Sequence, residues 1–138
     1  MILLDTNVLS ALMQAAPEAR VVSWLDRQAR SSLWTTSVTV MEIRFGLQIM
    51  PSGKRRGDPA GRFEVLLERL EHRVAVFDVA AAHEAGNLMA ARRMSGRTIE
   101  LRDTMIAGIA LAHNASLATR NTRDFEDSRV PLVNPWSS

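Results

Sequence analysis

Short apolar runs alternate with longer amphipathic stretches along this chain of 138 residues. Four runs have the length and apolar character of buried strands, at residues 2–4, 33–36, 74–77 and 116–119. A fifth run, at 130–133, contains Pro131 and is therefore predicted to lie at a sheet edge. The stretches between the runs repeat apolar residues at helical spacing and predict helices that begin near residues 6, 17, 37, 59, 79 and 101.

The alternation of strands and helices is typical of an α/β protein with a central, mostly parallel sheet of about four to five strands flanked by helices. Right-handed crossovers would bring the carboxyl ends of the strands to one edge, where polar residues that follow the strands form a site. A stretch at 51–61 combines Pro, Gly and a basic run at 54–56, which predicts a mobile loop. This loop is too short to separate two units, so the sequence predicts one domain over residues 1–138.

Three predicted helices begin with residues that favour a helix start. Thr6 or Asn7 is expected to cap the first helix, and Ser37 the third, because their side chains accept hydrogen bonds from free backbone N–H groups. Pro17 is expected to open the second helix, since an N–H group is not needed in the first turn.

Composition excludes several kinds of site. The chain has no Cys, which rules out a thiolate nucleophile, a disulfide scaffold and a Cys-ligated metal. Its three His residues do not recur at the short spacing of a zinc site. The formal net charge is only +2. Of the Lys and Arg residues, all except Lys54 are Arg, whose planar guanidinium suits contacts with phosphate groups. Residues 1–5 resemble neither a signal peptide nor a membrane span, so we expect a soluble cytoplasmic protein with no membrane partner.

Four carboxylates lie at positions that suggest a shared site. Asp5 directly follows the first predicted strand, and Asp124 follows the fourth. Glu42 and Asp103 each lie on a helical face that is otherwise apolar. The apolar residues on these faces are Val38, Phe45 and Ile49 beside Glu42, and Ile106, Ala107 and Ala110 beside Asp103. Any one of the four acids alone is compatible with an ion pair or a helix cap, but two strand ends and two inward helix faces predict that all four meet in one cleft.

Clustered carboxylates repel one another, and a divalent cation relieves that repulsion. Oxygen ligands favour Mg²⁺ or Mn²⁺, ions that also bridge to phosphates, which indicates metal-assisted phosphodiester hydrolysis. The contiguous ligand spacing of a calcium loop is missing from the sequence. A phosphatase that forms an aspartyl-phosphate would need a second Asp where the chain has Asn7.

Four segments together resemble the PIN-domain family, and within it the VapC/FitB-type toxins of bacterial toxin–antitoxin pairs. They are MILLDTNVL at residues 1–9, Glu42 on the third helix, DTMIA from Asp103, and TRNTRDF from Thr119. Each segment alone is a weak signal, whereas all four in this order across the whole chain are a specific one. The resemblance implies a single PIN-like nuclease domain over residues 1–138.

The resemblance also implies roles for individual residues. Asp5, Glu42, Asp103 and Asp124 would be the catalytic acids and the ligands of Mg²⁺ or Mn²⁺. Family members carry the fourth acid at the position of either Asn121 or Asp124, and here only Asp124 is acidic. The residues expected to orient these acids or to contact the substrate are Thr6, Asn7, Thr119, Arg120 and Asn121.

The implied function is that of a metal-dependent ribonuclease, a hydrolase that is the toxin of a type II toxin–antitoxin pair. Its expected partners are an RNA substrate, a small DNA-binding antitoxin and a second copy of the chain in a homodimer. Two alternatives remain open on the residues alone. One is a PIN-like nuclease that acts on DNA, and the other is a non-catalytic binding module whose acidic cleft receives an Arg from a partner.

Surface patterns add three expectations. The second and third helices hold more apolar residues than one stripe needs, so part of this surface is expected to be covered by another chain. The residues concerned are Val21, Val22, Trp24, Leu25, Met41, Phe45 and Ile49. Arg92 and Arg93 are interpreted as part of a solvated face. The Trp residues do not interleave regularly with basic residues, so no base-stacking platform is expected.

Overall fold

Five short strands form the central sheet in the computed structural model, which describes residues 1–55, 57–98 and 100–138. The strands are β1 (Ile2–Leu4), β2 (Leu33–Thr36), β3 (Val74–Ala75), β4 (Ser116–Ala118) and β5 (Leu132–Val133). Their order across the sheet is β3-β2-β1-β4-β5, and each neighbouring pair is parallel. The predicted parallel α/β sheet is therefore confirmed.

Helices pack on both faces of this sheet. Those in the described residues are α1 (Thr6–Leu12), α2 (Ala19–Asp26), α3 (Ser37–Ile49), α4 (Pro59–Arg69), α5 (Val79–Met94) and α6 (Leu101–His113). Successive side chains of a strand point to opposite faces of the sheet. Accordingly, Leu3 packs in a core cluster with side chains of α5 and α6, whereas Leu4 packs in a second cluster with side chains of α1, α2 and α4.

The central position of β1 determines where a site can form. β1 has a parallel neighbour on each side, and Leu3 and Leu4 are at most 1% exposed because helices cover both faces of the sheet. The chain builds β2 and β3 on one side of β1 and then crosses to build β4 and β5 on the other. Such a switch of direction leaves a crevice at the carboxyl ends of the strands that flank it, which here are β1 and β4.

The beginnings of three helices differ from the predictions made for Thr6, Asn7, Ser37 and Pro17. Asp5 caps α1, where its Oδ1 accepts a hydrogen bond from the Thr6 N–H at 2.8 Å. Thr36 caps α3 by accepting from the Thr39 N–H at 3.0 Å. Both caps have extended backbone, so each strand runs directly into the helix that follows it. α2 begins at residue 19 because the Glu18 carbonyl accepts its first helical hydrogen bond.

β3 and β5 are shorter than the runs predicted at residues 74–77 and 130–133. β3 stops before Phe77 because the Phe77 N–H donates to the Ser37 hydroxyl at 3.1 Å. α4 stops before Glu71 and His72, whose φ angles of 52° and 55° lie in the left-handed region. β5 keeps only the two residues that follow Pro131, which has no N–H for a strand pair, and it lies at the sheet edge as predicted.

The apolar residues predicted on α2 and α3 differ in burial. Trp24 of α2 is only 3% exposed and belongs to the core. On α3, by contrast, Met41, Phe45 and Ile49 are 51%, 59% and 64% exposed. The prediction that Phe45 and Ile49 lie on an inward face was therefore wrong, since α3 buries Ile43 instead. The three exposed side chains are called the α3 stripe below.

Close contact between α5 and α6 fixes the position of α6. A Cβ atom at Gly108 would lie 2.5 Å from the Ala81 carbonyl oxygen and 2.9 Å from the Ala85 Cβ. The backbones of the two helices therefore approach as closely as they do only because residue 108 has no side chain. Asp103 lies in the first turn of this same helix.

The segment predicted as a mobile loop contains a 3₁₀ turn at Ser52–Arg55 before α4 begins. Arg56 and the side chains of Lys54 and Arg55, the predicted basic run, lie outside the described residues. Among the described helices, none is long and apolar enough to cross a membrane.

Candidate active site

A cleft of about 510 Å³ opens at the carboxyl ends of β1 and β4. Three of the four predicted acids line it, and each comes from a different element: Asp5 follows β1, Glu42 lies on α3 and Asp103 lies on α6. The predicted orienting residues Thr6, Asn7, Arg120 and Asn121 also line it. Residues far apart in the sequence thus meet at the switch point of the sheet.

Asp5 is the most buried of the three acids, at 5% exposed. Its Oδ2 accepts a hydrogen bond from the Thr119 hydroxyl at 2.7 Å, while its Oδ1 is held by the backbone of α1. Burial raises the pKa of Asp5, and Glu42 raises it further, whereas the hydrogen bonds from Thr119, Thr6 and Asn7 lower it. The hydroxyl and N–H donors thus stabilise the ionised carboxylate in a site that otherwise disfavours charge.

Thr119 joins the end of β4 to the start of α1. Its hydroxyl donates to Asp5 and accepts from the Asn7 side-chain amide at 3.2 Å and from the Asn121 N–H at 3.1 Å. The Asn7 Oδ1 in turn accepts from the Arg120 N–H at 3.0 Å. Thr119 is fully buried, so this hydrogen-bonded set holds the Asp5 carboxylate in one orientation.

Glu42 reaches the cleft from α3. Its Oε1 accepts a hydrogen bond from the Thr6 hydroxyl at 2.9 Å, and its Oε2 lies 3.5 Å from the Arg102 guanidinium. The Glu42 side chain is 20% exposed, and that of Arg102 is 50% exposed. The ion pair therefore stands at the solvent side of the cleft, where it contributes little energy.

Asp103 interacts with every other acid of the site. Burial, which is the largest cause, and the negative charges of Asp5, Asp124, Glu100 and Glu42, in that order, together raise its pKa to about 6. Its helical neighbours on α6 are buried, as predicted from their spacing. A cation bound in the cleft would therefore favour the ionised form of this carboxylate.

Asp124 lies beside the cleft and not within it. It is exposed and lines an adjoining pocket, to which Asp103 and Glu100 also contribute. Asn121, the other position considered for the fourth acid, lines the main cleft. The structure thus places three predicted acids in one cleft and the fourth on the far side of Asp103.

Arg92 holds the turn that carries Asp124. The interpretation of Arg92 as part of a solvated face was wrong, since it is only 3% exposed. Its guanidinium binds both carboxylate oxygens of Asp127 at 2.9 and 3.0 Å, the Thr104 hydroxyl at 2.9 Å and the Asp124 carbonyl at 2.8 Å. One buried side chain thereby connects α5, α6 and the turn at Thr122–Ser128.

The donor types in the cleft fit a hard divalent cation, because carboxylate oxygens are the ligands that Mg²⁺ and Mn²⁺ prefer. Within the described residues, no three acidic or His side chains are already arranged to hold a metal ion. Glu42, for example, is directed toward Thr6 and Arg102. A shared cation would therefore require these side chains to rotate toward one another.

Trp136 is a wall of the cleft that the sequence did not indicate. Its ring lies 4.9 Å from the Arg120 guanidinium carbon, and both residues line the cleft. The linear order gives no signal for this contact, because β5 and the residues after it return to the edge of the sheet beside β4. Only the strand order brings Trp136 to the cleft that Asp5 lines.

The chain matches a family model described as PIN domain over residues 2–129. It is 43% identical over 137 residues to VapC ribonuclease Y4jK of Sinorhizobium fredii, covering 99% of this chain and 98% of that relative. It is 34% identical over 144 residues to toxin FitB of Neisseria gonorrhoeae, covering 99% of each chain. The solved structure of FitAB bound to the IR36 DNA fragment matches with a TM-score of 0.87 at 34% identity, covering 99% of this chain and 96% of that one.

These similarities extend over nearly the whole chain, and they agree with the strand order and with the acidic cleft at the switch point. The chain belongs to the PIN domain family, within the group of VapC/FitB-type toxins.

Proposed function

We propose that this protein is a ribonuclease that depends on Mg²⁺ or Mn²⁺ and is the toxin of a type II toxin–antitoxin pair. The observation that carries the proposal is the convergence of Asp5, Glu42 and Asp103, from three elements, on one cleft at the switch point of the sheet. The names of the relatives, VapC ribonuclease and toxin FitB, support the choice of RNA as substrate and the toxin role.

Four acids would hold the cation: Asp5, Glu42 and Asp103 in the cleft, with Asp124 beside them. A bound cation would offset the negative charges of these carboxylates and would supply the Lewis-acid chemistry that activates a phosphodiester and water for hydrolysis. Thr119 and Asn7 keep the Asp5 carboxylate oriented, and Thr6 does the same for Glu42. The chain's own contribution is thus to hold the carboxylates of Asp5 and Glu42 in fixed orientations.

A small antitoxin is the proposed protein partner. The matched FitAB structure, by its name, holds FitB together with FitA on DNA, which supports a partner of the same kind for this chain. An antitoxin Arg placed in the acidic cleft would pair with the carboxylates and compete with the cation for them. The partner would therefore inhibit the enzyme by occupying the same charges that the metal needs.

Cleavage of a single-stranded RNA oligonucleotide tests the enzymatic proposal. We expect Asp103→Asn and Asp5→Asn to lower the cleavage rate by at least about 10²-fold, because each removes a charge that holds the cation. Excess EDTA should abolish cleavage by the wild type, and added Mn²⁺ should restore it. Asp26→Asn is the matched control, since Asp26 is an exposed acid of α2 outside the cleft, and it should keep full activity.

The same assay separates the alternatives. A matched DNA oligonucleotide that is cut as fast as the RNA would favour a nuclease that acts on DNA. Absence of cleavage with either substrate, together with no Mn²⁺ binding that depends on Asp5, would favour the non-catalytic binding module. In cells that lack the partner, the wild type should arrest growth and Asp103→Asn should not, provided that both proteins accumulate in folded form.

A further inference from the structure

The cleft has an excess of negative charge that an RNA substrate must overcome. Three acids line it, and Arg120 is the one basic residue among the described residues that do. RNA carries one negative charge per phosphate, so the acids repel its backbone wherever no cation intervenes. The position of Arg120 therefore bears on how RNA is held.

Arg120 is not paired with any of these acids. Among the described residues, no carboxylate lies within ion-pair distance of its guanidinium, although Arg102 pairs with Glu42 and Glu100 at 3.5 and 3.6 Å. The Arg120 guanidinium lies instead over the ring of Trp136, with 4.9 Å between the guanidinium carbon and the ring centroid. A guanidinium supported on an aromatic face keeps its N–H groups available for an anion.

The support itself is fixed to the fold at both ends. The Arg120 N–H donates to Asn7 Oδ1 at 3.0 Å, which ties residue 120 to α1. The backbone N–H of Trp136 donates to Asn134 Oδ1 at 2.9 Å, and the backbone carbonyl of Trp136 accepts from the guanidinium of Arg20, on α2, at 3.1 Å. The backbone of residue 136, whose indole contacts Arg120, is thus held beside the cleft before any substrate arrives.

We propose that Arg120 binds a backbone phosphate of the RNA next to the scissile one, and that Trp136 is the positioning residue that holds Arg120 for this contact. The planar guanidinium matches the geometry of phosphate oxygens and binds them through two N–H groups. Arg120 already lies over one face of the indole, which favours a phosphate contact over base stacking on that face. This inference rests on the proposed ribonuclease function.

Binding of a fluorescein-labelled single-stranded RNA, followed by anisotropy in EDTA so that no cleavage occurs, tests the proposal. We expect Arg120→Gln to raise Kd about tenfold, as for loss of a charged hydrogen bond. It should also reduce the slope of log Kd against log salt by about 0.7, the value for one phosphate contact on a single strand. Arg93→Gln removes the same charge from an exposed position on α5 and should change neither quantity.

Trp136 is tested by comparing two variants in the same assay and in steady-state cleavage. Trp136→Leu removes the aromatic support and should raise Kd and KM severalfold with kcat nearly unchanged, whereas Trp136→Phe keeps an aromatic face and should restore both. An unchanged salt slope in Arg120→Gln would overturn the proposal. A shift in the pH midpoint of activity of Arg120→Gln without any change in its KM would also overturn the proposal, since Arg120 would then act on the acids of the cleft and not on the RNA.

The inference and the proposed function fail in different ways. If the wild type cleaves RNA and Arg120→Gln binds it as tightly as the wild type does, only the inference is wrong. If the wild type does not cleave RNA under any metal condition, the proposed function is wrong, whatever the binding data show. Circular dichroism of each variant excludes unfolding as the cause of a loss.

Discussion

Asp5 combines two roles in one side chain. It caps α1 through Oδ1 and faces the cleft through Oδ2, where the Thr119 hydroxyl holds it. The helix cap fixes the rotation of the carboxylate, so the orientation of an acid in the site follows from the strand-to-helix junction itself. The donors that stabilise its charge are the Thr6 N–H and the Asn7 amide, at the junction of β1 with α1, and the Thr119 hydroxyl at the end of β4.

Asp103 makes the stability of the metal-free protein depend on pH. Its pKa is about 6 in the folded protein, well above the 3.8 of an unperturbed side chain. The folded state therefore binds more protons than the unfolded state between these values, and stability falls as pH rises through about 6. In EDTA, we expect Asp103→Asn to melt above the wild type, and by a larger margin at pH 7.5 than at pH 5, as measured by thermal unfolding.

Two controls make this prediction specific. Asp26→Asn alters an exposed acid far from the cleft, so its melting temperature should follow that of the wild type at both pH values. Mn²⁺ at pH 7.5 should raise the melting temperature of the wild type more than that of Asp103→Asn, because a bound cation removes the repulsion. A constant difference between wild type and Asp103→Asn from pH 5 to 7.5 would contradict the assignment.

At the scale of elements, the position of α6 depends on its contact with α5. Gly108→Ala would place a methyl group 2.5 Å from the Ala81 carbonyl oxygen, a backbone atom that cannot move away without shifting a helix. We expect this change to lower the free energy of unfolding by about 2 kcal/mol, measured by urea denaturation. Activity should fall as well, since Asp103 lies on the displaced helix.

Gly86 offers a matched control for this change. It also lies inside a helix, in α5, but nothing lies within 4 Å of the position that a Cβ would take there. Gly86→Ala should therefore raise the free energy of unfolding by about 0.7 kcal/mol, because Ala loses less backbone entropy on folding. Equal destabilisation by the two substitutions would show that close packing at Gly108 is not the cause.

The sequence predicted the elements better than their ends. Apolar runs and helical spacing located the strands and helices, because burial alone sets those periods. The ends were wrong where a contact distant in sequence decided them, as when the Ser37 hydroxyl takes the Phe77 N–H at 3.1 Å and ends β3. Hydrogen bonds of this kind join residues 40 positions apart and leave no local pattern in the sequence.

The same limit applies to the site. Asp5 and Asp103 were predictable because a strand end and a buried helix face determine where these acids point. Glu42 reaches the cleft although Phe45 and Ile49, which were predicted on its inward face, are exposed.

The buried Arg92 and the wall formed by Trp136 were not predictable, since both depend on turns that return to the sheet edge. Two adjacent basic residues such as Arg92 and Arg93 are interpreted from sequence as exposed to solvent. In the structure Arg92 is buried in an ion pair with Asp127, but the sequence alone does not indicate this partner.

At the scale of the whole molecule, elements on both sides of β1 contribute residues to the cleft. Asp5 follows β1 itself, whereas Thr119 and Arg120 follow β4, its neighbour on the side formed by the last part of the chain. Glu42 comes from α3, which follows β2 on the other side. The chain must therefore complete its last parallel pairs before the acidic cleft has all its walls.

The α3 stripe predicts how whole molecules associate. Met41, Phe45 and Ile49 recur every four residues and are each more than half exposed, which forms an apolar strip that water disfavours. We expect a second copy of the chain to cover this strip in a homodimer, so light scattering of the wild type should give twice the mass of one chain. Phe45→Glu should give the mass of a single chain, because the charge disfavours burial of the strip. Val79→Glu is the control, since Val79 is 73% exposed outside the stripe and its change should leave the dimer intact. A monomeric wild type, or a dimeric Phe45→Glu with a native circular dichroism spectrum, would contradict the prediction.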